Sequence, residues 1–237
     1  MLRVRAQLAV SVSLAVAVAA GPVLADNQYG PAVERFSFFD GWEGEPYGLD
    51  AEPRYLEEDQ KVECATDQMV RHRSKTLRYA VIAHPDFVVR LQRFEAFVMA
   101  LATEHYGRAP RKLIHRGVFS CRTLRSRSER ISEHALGNAL DLQGFDFGPL
   151  PRKVQAPEAL PKAMRRAFSL RVLKHWQPRN ARDAYHAQFL HCLVEELRAH
   201  PEIFRGIVGP PRPRHLDHIH LDAAPWRYAM YGFDETS

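Results

Sequence analysis

The sequence predicts an α+β domain: a small antiparallel sheet with helices packed on one face. Three observations carry this. Phe87, Leu91, Phe94, Val98 and Leu101 recur at spacings of four, three, four and three, one apolar stripe of a long helix. Phe189, Leu190, Leu193 and Leu197 mark a second helical face. Five short strand-like runs lie between and after them: 113–122, 139–143, 170–176, 203–208 and 217–222. The 237 residues are 46% hydrophobic and 26% charged, ordinary globular values that exclude disordered, collagen-like and polytopic membrane classes.

Taken in order, the chain opens with a basic pair, Arg3 and Arg5, an apolar run from Ala6 to Ala20, and small residues ending at Ala25. That order predicts a cleaved secretory signal peptide over 1–25 and a periplasmic or secreted protein. The alternative is an uncleaved membrane anchor, against which Gly21-Pro22 and the modest hydrophobicity argue. Residues 26–60 hold ten acidic residues against Arg35 and Arg54. With Phe36, Phe38, Phe39, Trp42 and Tyr47 among several Gly and Pro, they predict an irregular acidic arm that docks through its aromatics. The domain expected over 61–237 then carries a net +11, which suits an anionic envelope.

The first helix is expected from Phe87 to Tyr106, stopped by Gly107 and Pro110, and the second from Ala184 to Ala199, ended by Pro201. Pro210-Pro211-Arg212-Pro213 reads as a loop. Export lets Cys64, Cys121 and Cys192 form at most one internal disulfide. Cys121–Cys192 is expected, because both fall in segments that read as core; three buried thiols are the alternative.

Two segments carry the chemistry. In Ser132-Glu133-His134-Ala135-Leu136-Gly137-Asn138-Ala139-Leu140-Asp141, the Gly-Asn pair predicts a loop bearing His134 that turns into a strand bearing Asp141, outward between Leu140 and Leu142. In His215-Leu216-Asp217-His218-Ile219-His220-Leu221-Asp222, His218 and His220 share one strand face while Ile219 and Leu221 enter the core. One His and one Asp from the first segment with one His from the second supply three N/O ligands, the donor set of a catalytic zinc. A lone His pair on a strand is more often a core element; two such segments in one chain favour the metal. A Ser132–His134–Asp141 triad is disfavoured, because Ser132 and His134 are two apart and no GxSxG elbow exists. Nucleic-acid binding is disfavoured by export and the acidic arm.

Ser132-x-His134-x-x-Gly137-x-Ala139-x-Asp141 followed by His215-x-Asp217-His218-x-His220 resembles the zinc motifs of the peptidase M15 family and its hedgehog and lysostaphin-like relatives. Cys121-Arg122, Gly144-Phe145, Val208-Gly209-Pro210 and Asp217 to Asp222 add a closer resemblance to the extensin-like C-terminal domain family, over roughly 113–222. The resemblance implies an M15/hedgehog-like fold with one Zn2+ held by His134, Asp141 and His220. It implies Asp217 as general base, with His218 and His215 as secondary active-site histidines. Arg122 would grip a substrate carboxylate and Ser132 would contact substrate or steady the ligand loop. The implied activity is hydrolysis of peptide bonds in peptidoglycan or its stem peptides, of D,D-carboxypeptidase or murein endopeptidase type. A zinc-bearing, non-catalytic wall-binding module is the alternative.

Overall fold

The computed structural model describes residues 47–233; the expected signal peptide and the arm aromatics before Tyr47 lie outside them. In chain order the elements are β1 (Val70–His72), β2 (Val81–Ala83), α1 (Pro85–Tyr106), β3 (Lys112–His115), β4 (Thr123–Leu124) and β5 (Arg127–Ile131). There follow β6 (Ala139–Phe147), β7 (Phe168–Arg171), the short α2 (Val172–His175), α3 (Ala181–Ala199), β8 (Gly206–Val208), β9 (Ile219–Asp222) and β10 (Tyr228–Met230). Among the described residues no helix is long and apolar enough to cross a membrane.

The helices form where the periodicity places them. α1 is capped by the His84 ring, which accepts from the Asp86 amide, carries Pro85 in its first turn, and stops at Gly107 in the left-handed region (φ 69°). Its stripe residues and Phe97 are at most 1% exposed, each contributing roughly 1.5–3 kcal/mol through burial. α3 starts three residues before the expected Ala184 because the Asn180 side chain caps it at the Asp183 amide, and its stripe of three leucines and one phenylalanine is fully buried.

β6 is the spine of the main sheet, whose order is β10-β8-β9-β6-β3 with β7 also on β6. β3 takes one edge of β6, while β9 and then β7 take successive halves of the other. All these pairs are antiparallel except β8 with β10, which is parallel and departs from the all-antiparallel expectation. Gly144 is required where the halves meet: its φ is 148°, and a Cβ there would lie 2.1 Å from the Leu170 carbonyl oxygen. Leu140, Leu142, Ile219 and Leu221 join the helix stripes in one core. The opposite face of β6 and β9 is thereby left to polar side chains. Two separate hairpin pairs, β1–β2 and β4–β5, complete the α+β architecture.

Three expectations are corrected. The disulfide joins Cys64 to Cys121, not Cys121 to Cys192. Cys121 is exposed on the loop between β3 and β4, whereas Cys192 lies on α3 and packs against the core. The run expected to be a strand over 113–122 is a strand only as far as His115, where the β6 register shifts, and its backbone bonds to Asp141 end at Gly117. The run over 170–176 leaves β7 at Arg171 and turns into α2. Packing also starts ahead of residue 61: Tyr47 and Leu49 belong to the core, and Tyr55 bridges Arg130 of β5.

Candidate metal centre

The site is assembled by strand register and one tight turn. Asp141 on β6 lies directly opposite His220 on β9, so their side chains stand side by side on the face away from the core. His134 sits on a 3-10 turn (Glu133–Leu136) whose start is capped by Ser132, the hydroxyl accepting from the His134 amide. The turn ends at Gly137 in the left-handed region (φ 61°), where a Cβ would come within 2.7 Å of the His84 nitrogen and 2.6 Å of Met69 Sδ. Gly137 thus throws the chain back onto β6 and sets His134 above Asp141.

His134 Nε2, Asp141 Oδ1 and His220 Nδ1 form a nearly equilateral triangle with sides of 3.1, 3.1 and 3.2 Å. The outward nitrogens are committed. His134 Nδ1 donates to the Val118 carbonyl at 2.6 Å, and His220 Nε2 faces Asp222 Oδ2 at 2.9 Å. Asp222 is fully buried and also accepts from the Tyr228 hydroxyl and the Ala224 amide. With both outer protons so placed, three acceptor positions converge, and only a cation among them relieves their repulsion. That cation is a proton carried by His220 or a metal ion. A tetrahedral ion bonded to N and O at about 2.0–2.2 Å separates its ligand atoms by roughly 3.3–3.6 Å, so the triangle needs little expansion to hold one.

The electrostatics agree. Burial disfavours a charged Asp141, but its close contacts with the His134 and His220 rings outweigh it and hold the carboxyl far below its usual range. Burial likewise opposes a charged His220, yet its bonds to Asp141 and Asp222 push it up to about 10. Burial raises the Asp222 carboxyl less than its bonds to His220 and Tyr228 lower it. These residues could hold a metal ion, and among the described residues no other group of three or more His, Cys, Asp or Glu converges as tightly.

The other predicted residues take distinct places. His218 precedes His220 by two residues, just ahead of β9, with Nε2 3.6 Å from Asp141 Oδ1 and Nδ1 2.9 Å from Asp217 Oδ1. Asp217 precedes the strand; its carboxylate turns to His218 and to Arg116, with which it forms a close ion pair. His215 lies near both histidines, tilted to His218 and edge-on to His220 with ring centroids 5.0 and 6.0 Å away, and burial together with those neighbours lowers its pKa. Arg122 lines the same cleft, of about 560 Å3, and donates to the Thr123 carbonyl. Ser132 also lines the cleft but is 1% exposed and acts as a cap on the His134 turn.

Sequence reasoning missed the supports. Asp222 was signalled by the strand alternation that places 218, 220 and 222 on one face. Arg116 and Tyr228 had no such signal. Nor did the buried network beneath the turn, in which Arg54 grips Glu133 with contacts of 2.8 and 3.3 Å. Asn138 donates to the same carboxylate at 2.6 Å, and the Tyr47 hydroxyl donates to Asn138. Residues of the acidic stretch thus clamp the turn that carries His134.

Fold and site together define an α+β domain with a candidate metal centre on the outer face of its sheet, open to a basic cleft. A family model described as "Extensin-like protein C-terminus" matches residues 45–230, and the chain belongs to that family. No curated protein and no solved structure matches it.

Proposed function

We propose that the protein is an exported zinc-dependent hydrolase that cuts peptide (amide) bonds of bacterial cell-wall peptidoglycan, with a fold related to the peptidase M15 and hedgehog-like proteins. The observation that carries this reading is the convergence of His134 Nε2, Asp141 Oδ1 and His220 Nδ1 on the floor of an open cleft. Two imidazoles and one carboxylate without thiolate are the donors of a catalytic rather than a structural zinc. When bound, Zn2+ supplies polarisation of a carbonyl and a water acidic enough to attack at neutral pH.

The remaining work falls to this chain's own groups. His218 Nε2 borders the ligand Asp141, and Asp217 accepts at its Nδ1. His218 thereby becomes the atom that takes and returns a proton, with Asp217 fixing its tautomer. Direct proton abstraction by Asp217 would require its carboxylate to leave Arg116. His215, kept neutral by burial and by its neighbours, donates or accepts a hydrogen bond beside the scissile group.

The test is incubation of zinc-loaded and chelator-treated protein with purified peptidoglycan and defined muropeptides, with mass spectrometry of the products. Metal-dependent hydrolysis of a stem amide is expected, and His218→Gln is expected to lower its rate by about 10²–10⁴-fold while retaining metal. Tight wall binding with no product at any loading would instead identify a non-catalytic binding module.

A further inference from the structure

The cleft holds more positive charge than the chain neutralises. Its lining includes Arg116, Arg122, Arg125, Arg130 and Arg214. Arg116 is paired with Asp217. Among the described residues the other four have no carboxylate within salt-bridge distance, while the lining acids are engaged: Glu133 by Arg54, Asp141 and Asp222 by the histidines. Arg122 immediately precedes β4, Arg125 sits in the β4–β5 turn, and Arg130 is on β5, its guanidinium 4.8 Å from the Trp226 ring centroid. Arg122 and Arg125 line the same cleft as His134, Asp141 and His220. On the 209–218 loop, Arg214 holds a left-handed backbone (φ 71°), which a non-glycine residue adopts at a cost.

We propose that this cleft binds an acidic peptide presenting at least two carboxylates, one to Arg122 beside the His134–Asp141–His220 cluster and another to Arg125, Arg130 and Arg214. The inference rests on the functional reading above and specifies its substrate class. Guanidinium forks match carboxylate and phosphate alike. The peptide is favoured because Leu124, Val208, Trp226 and Met230 interleave with the arginines, giving apolar side chains a surface that a phosphate polymer would leave bare.

The experiment is calorimetric titration of the purified zinc-loaded protein with four acetylated pentapeptides of one length. They carry zero to three carboxylates, Gln replacing Glu and an amide replacing the free terminus. Affinity is expected to rise about tenfold for each of the first two carboxylates and to fall as salt is raised. The doubly substituted Arg125→Gln/Arg130→Gln protein, checked for folding by circular dichroism, should bind the two-carboxylate peptide as weakly as the wild type binds the one-carboxylate peptide. Arg214→Gln is expected to give a separate reduction. Equal affinity for all four peptides, or tighter binding of inorganic polyphosphate than of the dicarboxylate peptide, overturns the proposal. Product analysis of zinc-loaded protein with muropeptides separates the two readings. Charge-ranked peptide binding with no muropeptide product supports this inference and contradicts the hydrolase, whereas metal-dependent muropeptide cleavage with charge-indifferent binding does the reverse.

Discussion

Asp222→Asn is the substitution that probes the centre without touching a ligand. The carboxylate accepts at one oxygen from His220 Nε2 and Tyr228 and at the other from the Ala224 amide. An amide of the same shape keeps the Ala224 contact only by turning its NH2 toward His220 and Tyr228, donor against donor. His220 escapes by moving its proton from Nε2 to Nδ1, the atom that faces Asp141 and His134. The metal-binding lone pair is then lost, and regaining it leaves a buried donor unsatisfied. Outer-sphere changes of this kind weaken metal affinity by about 10–100-fold, or roughly 1.4–2.7 kcal/mol. Competition with a chromophoric chelator measures it, with circular dichroism to verify the fold. A folded Asp222→Asn protein whose zinc affinity stays within twofold of the wild type refutes the reasoning.

Two further outcomes follow from the packing. The Cys64–Cys121 bridge spans 57 residues, so its loss destabilises the protein by about 4 kcal/mol on the chain-entropy account. In calorimetry Cys64→Ser should lower Tm by roughly 8–16 °C, whereas Cys192→Ser should leave the bridge intact. Burial lowers the pKa of His105 to about 4 and of His186 to about 3, against an ordinary value near 6.5. Both are neutral in folded and unfolded chains at pH 7. Below about 6.5 the unfolded chain gains protons that the folded one refuses, so from pH 7 to 5 these two histidines remove about 3–4 kcal/mol of stability. Urea titrations should show that loss, and His105→Gln/His186→Gln should show a correspondingly shallower decline.

Periodicity made the helices legible, because Phe87 through Leu101 can face a core in only one way. Alternation likewise made Asp141 outward and Ile219 and Leu221 inward. Alternation does not encode register, so the direct pairing of Asp141 with His220 was not legible, nor was the Nδ1–Nε2 asymmetry imposed by Val118 and Asp222. Cys121 was misassigned because strand-like composition continues past His115, whereas the strand ends there and Cys121 lies on the following loop, bonded to Cys64. Arg54 and Tyr47 were hidden in an acidic stretch whose average charge says nothing of one buried arginine. The direction of Asp217 depends on Arg116, 101 residues away in sequence, a contact that no local pattern carries.

The central claim is that residues 79 to 86 positions apart in the chain share one ion. Its most direct measurement is metal content by mass spectrometry of protein purified without chelators. The account predicts about one zinc per chain in the wild type and none in folded His134→Ala or His220→Ala. Equal metal content in all three proteins, whether one or zero, would contradict it.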